Sequence, residues 1–196
     1  MADATMRTRR EVHLRWVALL VFGAAFGYVE AAVVHYLRRI IGVGSEYQVG
    51  AETVHLDLGF IAFVSPQRAV LVDPGLVGVE TAREAATLVM LAAVAVVAGG
   101  PLRRRVAAFF IAFAVWDLTY YVFLRVLDAW PSSLATLDVY FLIPVTWVGP
   151  VATPVVASSV VLVVASWTFL SRPRTRRAAR AGRRARSRAD ATEVPR

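Results

Sequence analysis

Cysteine is absent from the 196 residues. That excludes disulfides, thiolate metal sites, c-type haem attachment and a cysteine nucleophile, and it leaves the redox compartment undetermined. Lysine is absent as well. All 22 basic residues are arginine, against 14 acidic ones, for a formal net charge of +8. Charge as a whole is scarce: 18% of the residues are charged and 58% are hydrophobic. A soluble globular domain has about 25% charged and about 45–50% apolar residues. A disordered chain, a collagen-like chain and most soluble enzymes are therefore excluded. Also missing are a Gly-rich phosphate loop, a Ser-His-Asp order, an HExxH pair and any internal repeat. What remains fits a polytopic membrane protein with one compact bundle.

Residues 1–13 are polar and basic. From Leu14 to Leu37 the chain is almost continuously apolar, and 24 residues at 1.5 Å each give roughly 36 Å, enough to cross a ~30 Å hydrocarbon core with some tilt. A cleaved signal peptide would have a shorter apolar region followed by a small-residue site. This run continues through Glu30 to Tyr36, so an uncleaved first span is expected at about 14–37. Residues 40–76 hold several glycines, two prolines and scattered charge. They read as a long loop with an interfacial segment at 56–64, which Pro66 ends. A second span is expected at about 77–98, closed by Gly99-Gly100-Pro101, and a third at about 106–127. Val139 to Ser171 carries no charge, too long for one straight helix, and Pro144, Pro150 and Pro154 divide it. The fourth span falls at about 152–171, with Pro154 near its start, where proline is tolerated. Residues 139–149 then form a re-entrant or interfacial segment. The fold class expected is all-α: a four-span transmembrane helical bundle, 14–171, between a cytoplasmic segment 1–13 and a basic tail 172–196 without stable structure.

Arginine placement sets the topology. Positive residues favour the cytoplasmic side. Arg7, Arg9, Arg10 and Arg15, then Arg103, Arg104 and Arg105, then the ten arginines from Arg172 to Arg196 all fall on one side of a four-span chain. Both termini are thus expected in the cytoplasm, in a cell inner membrane. The tail has no aromatic residue and reads as an anchor for anionic lipid. Nucleic acid is not an expected partner, because no stacking residue and no folded module is present. A protein partner or a homo-oligomer stays open beside the lipid bilayer.

Ionisable side chains inside a span are costly, so they usually face the bundle interior and mark a site. Glu30 lies in the outer half of span one. Arg83 and Glu84 lie in the outer half of span two. Asp117, Tyr121 and Arg125 share one face of span three at the i, i+4, i+8 spacing. A ligand-binding cluster of Glu30, Arg83, Glu84, Asp117, Tyr121 and Arg125 is expected, with Asp138 and Tyr140 able to approach it. Three acids against two bases leave one negative charge over, so at least one carboxylate, Glu30 or Glu84, is expected to have a raised pKa or to hold a cation. Gly23-x-x-x-Gly27 would let another helix approach span one closely. No metal site is expected: Glu30 and His35 are five apart, roughly 140° around a helix of 3.6 residues per turn, and do not chelate together. No cofactor is indicated. Trp130, Trp147 and Tyr140 read as belt residues at the outer interface and Trp16 as one at the inner.

The blocks Gly27–Arg38 (GYVEAAVVHYLR), Arg83–Met90 (REAATLVM), Trp116–Tyr121 (WDLTYY) and Phe141–Val151 (FLIPVTWVGPV) resemble those of small bacterial integral membrane proteins of unassigned function. The resemblance spans about residues 20–155. It implies a membrane location and a bacterial source, and it transfers no catalytic residue. Three functions follow as expectations: a membrane-embedded polar site in the extracytoplasmic half that binds or transports a small ligand or ion; a non-catalytic scaffold whose charges are structural ion pairs; and a membrane enzyme acting on lipid or quinone.

Overall fold

The computed structural model describes residues 2–41, 54–64 and 74–171. The tail 172–196 and most of the 42–73 loop, Arg68 and Asp73 included, lie outside the described residues. Among the described residues there are four helices and four short strands: α1 (Ala2–Ile41), β1 (Val54–Asp57), β2 (Ala62–Val64), α2 (Pro74–Val97), α3 (Leu102–Asp128), β3 (Leu137–Phe141), β4 (Thr146–Pro150) and α4 (Ala152–Leu170). Among the described residues, three helical stretches are long and apolar enough to cross a membrane: Arg9–Ile40, Leu102–Asp128 and Ala152–Leu170. α2 is as long, but Glu80, Arg83 and Glu84 fall in its first half, and it is not among the three. α1 is longer than expected. It starts at Ala2, so the basic segment before Leu14 continues the first helix.

The helices alternate in direction. Near the start of α1, Arg15 donates to the carbonyl of Ala98, just past the end of α2, at 2.9 Å. Trp16 donates from Nε1 to Ser166 Oγ, near the end of α4, at 3.1 Å. At the other end, Arg83 near the start of α2 meets Glu30, and Asp128 at the end of α3 meets His35 and Arg38. So α1 and α3 run one way, and α2 and α4 run back.

α3 sits at the centre, packed most extensively on α1 and then on α4. Gly23 and Gly27 bring α1 against it. A Cβ at Gly23 would lie 2.8 Å from Val115 Cβ and 2.9 Å from the Ala112 carbonyl oxygen. One at Gly27 would collide with Thr119 Oγ1 and lie 2.8 Å from the Trp116 carbonyl oxygen. The two glycines therefore open the seam for close helix contact, as small residues do between membrane helices. Ala108, Ile111 and Ala112, fully buried, complete the α3 side.

The all-α expectation is corrected by a small antiparallel sheet of order β1-β2-β4-β3. Residues 139–149, expected as a re-entrant or interfacial segment, form most of the β3–β4 hairpin, with Val139 opposite Val148 and Phe141 opposite Trp147. The segment 56–64 is mostly the hairpin β1–β2. The reason is local. Val, Tyr, Phe, Thr and Trp favour the pleated conformation, and Pro144, which has no N–H to give a ladder, falls in the turn between strands. β2 pairs with β4, Phe63 opposite Trp147, which joins the α1–α2 and α3–α4 connections over one end of the bundle.

Candidate functional site

The polar side chains gather at the sheet-bearing end. Arg83 Nη1 donates to Glu30 Oε1 at 2.6 Å, across α2 and α1. Its Nε donates to Glu80 Oε2 at 2.7 Å, one turn earlier on α2. The side chains are mostly covered, 13% exposed for Glu30, 12% for Glu80 and 26% for Arg83. One guanidinium thus serves two carboxylates through its fork. Glu84, on the next turn, accepts the backbone N–H of Leu142 at 2.8 Å. That bond ties α2 to the turn of the β3–β4 hairpin.

Asp117 lies apart from this group, on the α3–α4 seam, where Ser158 Oγ donates to its Oδ2 at 2.7 Å. Tyr121, one turn on and almost buried, donates to Asp138 Oδ2 on β3 at 2.8 Å. Tyr120, the residue before it, packs its ring edge-on against Tyr121, the centroids 5.0 Å apart. The Asp138 carboxyl is pushed up to about 7 by burial. The Tyr121 hydroxyl, the Val139 N–H and the Arg38 charge act against that, and Asp117 adds to it. Burial likewise pushes the Tyr140 phenol up to about 12; its hydroxyl donates to the Pro150 carbonyl at 2.6 Å.

Arg125 does not join the cluster. It is exposed and donates to the carbonyls of Ala129 and of Pro131, the latter at 3.1 Å. Position explains this. Arg125 stands in the last turn of α3, where carbonyls lack helical partners and attract cations. Face sharing with Asp117 and Tyr121 is not enough when the helix end competes for the same guanidinium.

No family model, curated protein or solved structure matches the chain.

Sequence reasoning missed a third arrangement, His35–Asp128–Arg38. His35 Nδ1 is 2.6 Å from Asp128 Oδ1, and Arg38 Nη1 is 3.3 Å from Oδ2. The Arg38 guanidinium lies 4.4 Å above the Trp130 ring. Trp130, expected in an interfacial belt, is 4% exposed and packs on Tyr121. The signal was present: His35 and Arg38 are three apart, on one face of α1, and Asp128 ends the neighbouring helix.

Among the described residues, no three His, Asp or Glu side chains are placed to share a metal ion. Near Glu30, two carboxylates, Glu30 on α1 and Glu80 on α2, thus share one guanidinium, while Glu84 is held by the Leu142 N–H.

Proposed function

We propose that the chain is a four-span protein of a bacterial inner membrane, with both ends in the cytoplasm. Directional parity supports the fourth span. α1 and α3 run the same way side by side, so the chain must return between them, and α2 makes that return. Its three charges sit at the sheet-bearing end, where Arg83 donates to Glu30 and Glu80 and Glu84 accepts the Leu142 N–H. Arginine-rich stretches at the start of α1, between α2 and α3 and after α4 all then fall on the opposite, cytoplasmic side. A reporter fused near residue 50 should read the outside, and fusions near 103 and after 175 the cytoplasm; a periplasmic signal at the C-terminus overturns the topology.

On this topology the polar cluster lies in the extracytoplasmic half, and its function is to bind or transport a small ligand or ion. The observation that carries the reading is the sharing of Arg83 by Glu30 and Glu80, with Glu84 one turn away. The ligand class this favours is a small organic cation, an amine, over a multivalent metal. Purified protein in detergent should melt at higher temperature with ethylamine hydrochloride than with equimolar sodium chloride. Glu84→Gln and Glu30→Gln should each abolish that difference while the protein still inserts. Equal melting in the two salts sinks the ligand reading.

The second reading is a scaffold. It is favoured by the Asp117–Ser158 bond, which joins α3 to α4 in the manner of a structural lock. On that reading the charge-neutral variants keep partner capture. A membrane enzyme acting on lipid or quinone is the third reading.

A further inference from the structure

The hairpin β1–β2 carries large apolar side chains where a turn in water would carry polar ones. Val54, Leu56, Leu58 and Phe60 are each about half exposed. The connection is Leu58-Gly59-Phe60-Ile61, whereas water-facing turns favour Asn, Asp, Ser and Gly. The turn is firmly built. Asp57 Oδ1 accepts the Gly59 N–H at 2.7 Å, the Leu58 N–H donates to the Ile61 carbonyl at 2.9 Å, and Gly59 takes a φ of +80°. Leu58 and Phe60 are therefore held outward from a fixed backbone.

The height of this tip is fixed too. Thr153 Oγ1, in the first turn of α4, donates to the Phe60 carbonyl at 3.0 Å. Gly149 permits the approach, since a Cβ there would lie 2.6 Å from the Phe60 carbonyl oxygen. α4 has 19 residues, about 28 Å, against a hydrocarbon core of about 30 Å. A helix with so little slack sets its first turn at the hydrocarbon boundary, and Phe60 with it. Further along α4, Val156 and Val160 are exposed, as expected of a surface in contact with acyl chains.

We propose that the β1–β2 tip, led by Leu58 and Phe60, is an interfacial anchor that inserts among the headgroups and first acyl carbons of the leaflet at the sheet-bearing end. Its occupant is phospholipid, because the tip lies at the depth where apolar and aromatic side chains partition into the interface. The anchor would hold the sheet down over Glu84 and Asp138. The inference rests on α4 crossing the membrane and on no ligand.

The absence of cysteine makes the test direct. Leu58→Cys, Phe60→Cys, Ser133→Cys and Val160→Cys each provide a single thiol on an exposed side chain for an environment-sensitive fluorophore. The vesicles contain phosphatidylethanolamine and phosphatidylglycerol. Labels at 58 and 60 should lose fluorescence to lipid carrying a nitroxide near the headgroup and resist iodide in the water. The label at 133, in the polar turn before β3, should be quenched by iodide. The label at 160 should respond to a nitroxide deep in the acyl chain. Iodide quenching at 58 and 60 equal to that at 133 overturns the anchor while leaving the spanning helix intact. Iodide quenching at 160 overturns the membrane reading of α4 and the anchor with it. Disulfide-linked dimers through position 60 in the vesicles assign the tip to a second copy and also overturn the proposal.

Discussion

At the end of the bundle away from the sheet, α1, α3 and α4 meet through Leu19, Ala108, Ile111, Ala112, Ala165 and Phe169, with Leu91 and Ala95 of α2 against them. At the sheet-bearing end the helices meet through Glu30–Arg83, Asp117–Ser158 and His35–Asp128, with Tyr121 and Asp138 joining helix to sheet. The first end relies mainly on shape, with Arg15–Ala98 and Trp16–Ser166 as its hydrogen bonds between helices. Lipid is as apolar as the helices, so association there depends on close approach and dispersion. The second end needs partners, because each polar group taken from water is costly until hydrogen-bonded. The close seam is unforgiving of volume, the polar end of missing charge.

The strongest way to break that contrast is to add volume at the seam. Gly27→Leu should cost about 3 kcal/mol or more, since overpacking costs about 1–3 kcal/mol even where side chains alone must yield. Here the Trp116 backbone is in the way. Thermal unfolding in detergent and the yield of monodisperse protein would show it. A Gly27→Leu protein that melts like the parent would mean that α1 and α3 do not touch there.

Removing the shared cation is the next largest change. Arg83→Met leaves Glu30 and Glu80 facing each other across α1 and α2. Breaking a fully buried pair costs about 3–5 kcal/mol, and the quarter exposure of Arg83 reduces that to about 1–3 kcal/mol. Arg83→Lys should restore only part, because an ammonium lacks the fork that serves both acids. Chemical denaturation of the pair of variants checks the order.

The polar end should also respond to pH where the apolar end does not. Folded, Asp138 holds its proton up to about pH 7; unfolded, an aspartate releases it near ~3.9. The folded state then binds more protons between those values, so this residue's contribution to stability falls as pH rises from about 4 through about 7. Asp138→Asn should flatten that slope in melting curves. An unchanged slope would place the titration elsewhere.

The smallest effect is expected from Arg125→Gln. Its guanidinium serves exposed carbonyls at the end of α3, an interaction worth about 0.3–1 kcal/mol. Melting should drop slightly and the response to ethylamine should stay whole. Loss of that response would return Arg125 to the ligand cluster.

Much of this molecule was legible in its residues. Four spans were expected: those at 14–37, 106–127 and 152–171 fall on helices long and apolar enough to cross a membrane, whereas 77–98 falls on α2, which is not among those three. Gly23 and Gly27 announced a close seam, and the four-residue spacing of Asp117 and Tyr121 placed both on one side of α3. The sheet was not legible. Short apolar runs broken by proline look alike whether they lie on a membrane surface, re-enter it or pair as strands, because pairing depends on a partner far away: Phe63 finds Trp147 across 84 residues. Arg125 was misplaced for a related reason. Periodicity gives the face of a residue but not the competing carbonyls around it, and those of Ala129 and Pro131 come into reach only once the chain turns after Asp128.

By itself, then, the sequence determined which segments are helical and apolar and which end of each carries charge, since these depend on neighbours within a few turns. Only the tertiary structure decided the pairs: that Glu30 and Glu80 divide one arginine, that Asp117 takes Ser158 instead of a base, and that two distant hairpins close into one sheet over Glu84. Each of these depends on which groups, remote in the chain, arrive within about 3 Å of one another. Hydrogen bonds fall off too steeply with distance and angle for spacing along the chain to settle that.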